Sequence, residues 1–453
     1  MLHRLIAYAL ISTSYIQAFA TNDKIPIIAF GDARGYFEPC GCDPKTDLGG
    51  LVRLSGLIAR ERRDARDRLI LGLGNNFELN KPDLAKDQAI IEALAKINVD
   101  AMLFNRIEIS RQLSGRLPAN SLTLPYILSN WQDRTISIQP SRQLRAVEVF
   151  GFVEPNEETK GVLQDLESFI KDMRKHSPKQ RVLLYSGSKS GLEKLVSSHF
   201  FIEVIASNSH PITEKDAKLG QISESELMMS IGGRSVFMVP YGGQGVLRYG
   251  PAMDEPRSLA ELLSNQNCAG DILGIRCADQ FSQPRARRLT WLTIEYQDAA
   301  TIRDIYLRYQ ESRRAEYERL RIERLRNVES SPYIGDTACA SCHAQAHSVF
   351  LGSKHAKAFE VLVKSGKNRD PECVSCHVVG FDSGRGFVDI QATPHLANVQ
   401  CENCHGPRRE HASNPSVKGE PASLNACVSC HYGQHSPDFN QQVYWQKISH
   451  GKN

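Results

Sequence analysis

Past its first twenty residues this 453-residue chain has no apolar run approaching the roughly 20 residues that a membrane-crossing helix needs, so nothing there reads as a membrane-spanning helix. It has no surplus of either charge. Its 55 lysines and arginines stand against 51 aspartates and glutamates, a formal net charge of +4 and too even a balance to imply nucleic acid as a partner. It also has no methionine after Met253, all seven lying at or before that position. What is there is the makeup of an ordinary globular protein, 41% hydrophobic and 23% charged, with the length of about three typical domains. The unusual number is twelve cysteines.

The first twenty residues indicate the compartment those cysteines meet. His3 and Arg4 begin a short basic region, Leu5 to Ile16 is mostly apolar, and Ala18-Phe19-Ala20 offers small residues for cleavage, the pattern of a secretory signal peptide over residues 1–20, cut after Ala20. Ser12, Thr13 and Ser14 break the apolar run, so an uncleaved anchor is the weaker alternative. No cysteine follows directly, which argues against a lipid anchor. The expectation is an exported, periplasmic protein with no membrane span once the signal is removed.

Three unlike regions follow. From residue 21 to 297, short β-branched and apolar runs (Ile25 to Phe30, Leu69 to Leu73, Tyr126 to Leu128, Val147 to Val153, Val182 to Tyr185, Phe201 to Ile205, Val236 to Val239) alternate with stretches of helical spacing (Leu48 to Arg63, Pro82 to Ile97, Lys160 to Lys175, Leu192 to Ser198). That order predicts an α/β domain with a largely buried sheet and one core. Residues 298–328 are dense in Arg and Glu, with Ile302, Ile305, Tyr309, Tyr317 and Leu320 on one helical face. They read as a long exposed linker helix, supported by Glu316 with Arg319 and Glu318 with Arg321, or else as a dimerising coiled coil.

Residues 329–453 hold the strongest pattern. Cys339-Ala-Ser-Cys342-His343, Cys373-Val-Ser-Cys376-His377, Cys401-Glu-Asn-Cys404-His405 and Cys427-Val-Ser-Cys430-His431 are four copies of the c-type haem attachment motif. Two thiols three positions apart can add to the two vinyl groups on one porphyrin edge while the adjacent histidine reaches the iron. Disulfides or zinc sites explain the pattern less well, because zinc requires no histidine directly after the second cysteine. Four covalently bound haems are therefore expected, with His343, His377, His405 and His431 as proximal ligands. At roughly 30 residues per haem, the porphyrins must supply most of the buried surface, and the segment without them should not fold. Methionine cannot be a sixth ligand from within this region. Distal ligation falls to histidine, and the candidates are His347, His355, His395, His411, His435 and His450; such bis-histidine haems have comparatively low potentials suited to passing electrons.

The run from Cys339 through Ser353-Lys-His355-Ala-Lys-Ala358, then Val399-Gln-Cys401-Glu-Asn-Cys404-His405-Gly406-Pro407 with His411, and the closing Tyr444-Trp-Gln-Lys-Ile448-Ser-His450 resemble the nitrifier tetrahaem cytochrome c family that accepts electrons from hydroxylamine oxidoreductase. The resemblance covers about the last 120 residues. It implies that His355, His411 and His450 are distal ligands given to haems held by other motifs, and that one haem is five-coordinate or capped by a spare such as His347. His395 and His435 match no ligand position.

The first region resembles the calcineurin-like metallophosphoesterases of the periplasmic nucleotidase type. Phe30-Gly31-Asp32-Ala33-Arg34-Gly35, Leu71 to Asn75, Phe104-Asn105-Arg106 and Ile205 to His210 stand where that family has its metal-binding motifs. Asp32, Asn105 and His210 match ligands, whereas Arg34, Asn75, Arg106, Ser186 and Asn208 stand in place of a His, an Asp and three further His. Fixed positive charge beside two metal ions is incompatible with holding them, so the resemblance implies the fold without the hydrolase activity. The whole chain is thus expected to be a sandwich-like α/β metallophosphoesterase-type domain, a linker helix, and a mainly α or irregular tetrahaem domain.

Pro39-Cys40-Gly41-Cys42 before Leu48-Gly49-Gly50-Leu51-Val52-Arg53 resembles a signature of nucleotidase-like exported proteins that accompany multihaem cytochromes. The pair could be redox-active or metal-binding, or could form structural disulfides with Cys268 and Cys277, unless those two close a small loop of their own. Three functions remain in view. The first is an electron-transfer protein with periplasmic redox proteins as donor and acceptor. The second is an oxidoreductase acting on a small nitrogen or sulfur compound at a five-coordinate haem or at Cys40/Cys42. The third, the weakest, is a residual phosphoesterase or nucleotide-binding protein.

Overall fold

The structure is a computed structural model and describes residues 26–38, 49–64, 68–78, 83–133, 135–145, 147–175, 180–198, 201, 203–207, 228–231, 234–239, 245–249, 287–292, 296, 300–419, 422, 425–431, 436 and 439–450. The signal segment, Cys40, Cys42, Asn208, His210, Cys268, Cys277 and His435 lie outside them.

In chain order the first region forms β1 (Ile27–Phe30), α1 (Leu51–Asp64), β2 (Leu69–Gly72), α2 (Leu84–Ile97), β3 (Ala101–Leu103), α3 (Arg106–Leu113), β4 (Tyr126–Ile127), β5 (Ser141–Leu144), β6 (Val147–Val153), α4 (Leu166–Met173), β7 (Gln180–Ser186), α5 (Lys189–Ser197), β8 (Glu203–Ser207), β9 (Met228–Ile231), β10 (Arg234–Val239), β11 (Gly245–Tyr249) and β12 (Arg287–Trp291). The strands make two six-stranded sheets, in the orders β12-β11-β1-β2-β3-β4 and β5-β6-β7-β8-β10-β9. β1 to β4 run parallel, as do β6, β7, β8 and β10, while β11, β12, β5 and β9 add antiparallel edges.

The two sheets face each other, and the strand period of two shows it. Along β6, Val147, Val149 and Val153 join the core between the sheets, whereas Phe150 and Phe152 join a second core under α4 and α5; on β7, Val182 and Leu184 divide from Leu183 and Tyr185 in the same way. The expectation of one core is corrected: a sheet covered on both faces needs an apolar residue at every position and so creates two. Gly151 lets the sheets meet at one corner, since a Cβ there would stand 2.8 Å from the Ile127 carbonyl oxygen, and the Ser129 N–H donates to the Gly151 carbonyl at 2.7 Å.

Helix α2 closely follows the predicted stretch. Asp83 caps it, accepting from the Lys86 N–H at 3.1 Å, and Asn98 ends it in the left-handed region at φ 58°. Helix α4 is shorter than the expected Lys160 to Lys175, because Thr159 to Leu163 form a turn and Asp165 caps only at Ser168.

Helix α6 (Ala300–Leu325) corrects the picture of an exposed linker. Ile302, Ile305 and Tyr309 are part of the first core, and Tyr317 is buried in the core of the C-terminal region. The stripe seen in the sequence is used within the chain, first against one region and then the other, so a boundary at residue 297 does not separate the cores. Glu318 pairs with Arg321 as expected, at 3.6 Å, but Glu316 pairs with Arg313, at 2.6 Å, rather than with Arg319.

The C-terminal region has short helices α7 (Ala344–Leu351), α8 (Ala358–Lys364), α9 (Pro371–His377), α10 (Cys401–His405), α11 (Arg409–Ser413), α12 (Asn425–Val428) and α13 (Gln441–Gln446). It has no strand among its described residues, and its apolar core is one small cluster around Phe359, Val374, Val379, Phe381, Phe387 and Leu396.

Candidate haem centres

Each attachment motif is built on a single turn of helix. In motifs one and four the histidine N–H donates to the carbonyl of the first cysteine, His343 to Cys339 at 2.9 Å and His431 to Cys427 at 2.8 Å. The second motif is helix α9, with Pro371 in its first turn and the Asp370 carboxylate accepting from the Glu372 N–H at 3.0 Å. The third is helix α10, with a reciprocal cap in which the Gln400 N–H donates to the Asn403 side chain at 2.7 Å. A turn of helix sets both cysteines, three apart, on one face.

Buried Glu402, inside the third motif, accepts from the backbone N–H groups of Ile334 (3.0 Å), Gly335 (2.9 Å) and Arg408 (2.8 Å). Gln400 adds a bond from the Asp336 N–H at 2.8 Å. The chain entering the first motif is thereby tied to the third.

The histidines fall into pairs. The ring centroids of His343 and His411 are 6.2 Å apart, those of His355 and His431 5.9 Å, and those of His405 and His450 6.0 Å. Two imidazoles that share one metal ion at the usual bond length of about 2 Å stand about 6 Å apart centre to centre. The three pairs therefore fit an iron held between two rings, and each pair joins a motif histidine to one from elsewhere in the chain. Second partners hold several rings by Nδ1, leaving Nε2 for metal: His411 donates to the Val417 carbonyl at 2.8 Å, and His431 is hydrogen-bonded to the Ser436 hydroxyl at 2.9 Å. Burial pushes His355, His377 and His431 below the ordinary histidine range, which keeps them as the neutral, metal-binding form.

His377 differs from the other three motif histidines. Its Nδ1 donates to the Ala358 carbonyl at 2.6 Å, yet among the described residues no histidine ring is stacked opposite it as in the other pairs. His347, the expected spare, is committed elsewhere: its Nε2 is 2.8 Å from the Asp336 carboxylate.

Residues 338–406, which contain the first three motifs, match the family model described as cytochrome c554 and c-prime. The C-terminal region is that of a multihaem c-type cytochrome. Its sequence is 35% identical over 106 residues to cytochrome c-554 of Nitrosomonas europaea, an alignment covering 20% of this chain and 45% of that protein. The chain thus spans less than half the length of this curated relative. Over the first region, solved structures that align include the 5'-nucleotidase precursor of Thermus thermophilus (15% identity, TM-score 0.42, 64% of this chain and 58% of that one) and the 5'-nucleotidase of Candida albicans (14%, TM-score 0.44, 64% and 57%). The calcineurin-like phosphoesterase YfkN of Bacillus subtilis aligns at 14% identity and TM-score 0.41, over 64% of this chain and 97% of that one.

Upstream of the cytochrome region, the positions equated with metal ligands lie at the carboxyl ends of β1, β2 and β3, where a parallel sheet presents its loops. Their side chains serve the protein itself. The Asp32 carboxylate receives the Arg34 Nε at 3.1 Å; Asn75 accepts from the Ile107 N–H at 3.1 Å; Asn105 accepts from the Arg106 N–H at 2.8 Å and donates to the Leu73 carbonyl at 2.6 Å. Arg106 donates to the Glu154 carbonyl at 3.0 Å. Asp32, Arg34 and Asn75 all have positive φ, at 60°, 46° and 53°. Such backbone strain concentrates where loops are held for a purpose.

No pattern in the sequence pointed to the residues joining this domain to the cytochrome region. Lys86 of α2 places its ammonium 3.0 Å from Glu78 and 2.6 Å from Glu372, the residue before Cys373. A lysine on a helix and a glutamate before a motif are ordinary in one dimension; only folding brings them together across 286 positions.

Proposed function

We propose that this chain is a periplasmic c-type cytochrome that transfers electrons through four covalently bound haems, one on each motif. Cys339 and Cys342, Cys373 and Cys376, Cys401 and Cys404, and Cys427 and Cys430 would tether them. The ligand pairs would be His343 with His411, His405 with His450 and His431 with His355, while among the described residues His377 is the one histidine placed to hold the second haem. The single observation that carries this reading is the set of three facing imidazole pairs, each at the spacing of two ligands on one metal.

Bound haem iron supplies one-electron chemistry at a potential set by its ligands and surroundings. The residues of this chain fix the rings by their outer hydrogen bonds, keep them neutral by burial, and carry a distal histidine to motifs one, three and four. Export by the segment ending at Ala20 suits covalent haem attachment. The partners proposed are periplasmic redox proteins, one as donor and one as acceptor, and not nucleic acid. The first region contributes packing and docking rather than phosphoester hydrolysis, since Arg34 holds Asp32, and Asn75 and Asn105 serve as backbone caps.

A second reading is favoured by His377. Among the described residues no second histidine faces His377, so a haem bound there would offer its iron to a small nitrogen or sulfur compound, which would make the chain an oxidoreductase. Electron paramagnetic resonance of the oxidised protein, repeated with nitric oxide, separates the two. Haem content of four per chain with three low-spin signals supports the ligand set. A high-spin signal that binds nitric oxide and turns over a substrate supports the oxidoreductase, and fewer than four haems overturns the assignment.

A further inference from the structure

The first region and the cytochrome region meet at a cluster of charges. Lys86 is only 6% exposed, a rare state for a lysine, and its ammonium is shared between Glu78 of its own domain and Glu372 of α9. Burial opposes its charge, but Glu372 and Glu78 outweigh that penalty and hold it well above the ordinary lysine range. The Tyr309 hydroxyl, from α6, donates toward the other Glu372 oxygen at 3.4 Å. Arg313 binds Asp83, the cap of the helix that carries Lys86, at 3.1 Å. Phe37 stacks on Tyr306 and Tyr309 with centroids 5.5 and 6.0 Å apart, excluding water from the flank.

Glu372 lies in the first turn of a seven-residue helix whose remaining turns are Cys373, Cys376 and His377. A helix that short moves as one body, so whatever holds Glu372 orients the attachment site. Charges buried this close to a redox centre are also poorly screened.

We propose that Lys86 is a positioning residue for the second haem centre: through Glu372 it clamps helix α9 to the first region and biases the potential of the haem held by Cys373, Cys376 and His377. The inference rests on the ligand assignment proposed above. It gives the first region a role in the electron chemistry that is independent of any activity of its own.

The two partners carry opposite charges, which separates a local field from general disruption. In the holoprotein, Lys86→Met removes a cation and lowers the potential of one haem of the four. Glu372→Gln, which keeps a hydrogen-bonding side chain, removes an anion and raises the potential of the same haem. Redox titration followed optically and by paramagnetic resonance reads all four, and the high-spin signal identifies the haem on His377. Shifts of the same sign in both variants, equal shifts at all four haems, or no shift in either would overturn the proposal. Should Lys86→Met fail to load haem, Glu372→Gln alone decides by the sign and the uniqueness of its shift. Failure of the ligand assignment shows instead in the unaltered protein, as a wrong haem count or spin state; even then, a single haem potential moving with opposite signs in the two variants remains readable.

Discussion

The two regions of the chain solve the same problem with different materials. The first buries two apolar layers against its sheets, so that Ile28, Leu71, Phe104, Val149 and Leu184 touch no water. The second has one small apolar cluster, and beside it stand histidines in facing pairs and cysteines that remain partly accessible. The first can be stabilised by the hydrophobic effect alone. The second has less of it to draw on, and its rings are spaced as two ligands on one metal would be. The lesson is that helix α6, buried at one end in the first core and at the other in the second, joins a region built on large apolar layers to one whose histidines are set in facing pairs.

The sharpest way to break this contrast is to withhold haem. With all eight motif cysteines changed to alanine in the full chain, residues beyond α6 should become wholly protease-sensitive while the first region stays resistant. Survival of both to the same protease dose would show that the second region owes its fold to its own core. Next in size is a change confined to one centre. His355→Ala should turn the haem paired with His431 high-spin with haem content intact, and an unchanged spectrum would remove His355 from the ligands.

The converse test belongs to the first region. Leu184→Ala, between the sheets, should cost about 2–5 kcal/mol in thermal or denaturant unfolding, with haem spectra unaltered; a smaller cost would mean that the sheets pack loosely there. Smallest is Glu154→Gln. Burial raises the Glu154 carboxyl, but bonds from the Ser188 N–H, its hydroxyl and the Tyr185 hydroxyl outweigh it and hold the group below the usual glutamate range. A depressed folded-state pKa means stability that is present above the unfolded value and lost as pH falls through the folded one. The variant should be less stable by roughly 1 kcal/mol at neutral pH, a low figure because the group is only half-buried. The difference should vanish below the ordinary carboxylate range, and a constant difference across pH would assign the effect to shape rather than charge.

The sequence made visible whatever is encoded locally. Helix α2 and strands β1, β2, β6 and β7 lie close to where apolar periodicity put them, because each element's own residues carry the pattern. Strand β3, three residues long, and β5, whose Ser141–Leu144 lies at an exposed edge, escaped, since neither has length or alternation enough to stand out. The attachment motifs were legible because their chemistry requires residues three and four apart. His355, His411 and His450 were named through resemblance, but which motif each faces could not be read from spacing, since the partners are tens of residues away. The degenerate cleft was legible as a list of substitutions; its hydrogen bonds were not.

The sequence by itself therefore determined the α/β and haem-binding classes of the two regions, the thiols and the motif histidines, because covalent attachment and periodicity act over a few residues. Only the tertiary structure decided that α6 is shared by both cores, that His347 belongs to Asp336, that among the described residues no histidine ring faces His377 as in the three pairs, and that Lys86 reaches Glu372. Those facts depend on burial and on charges far apart in the chain, and side chains acquire such neighbours only when the chain is packed.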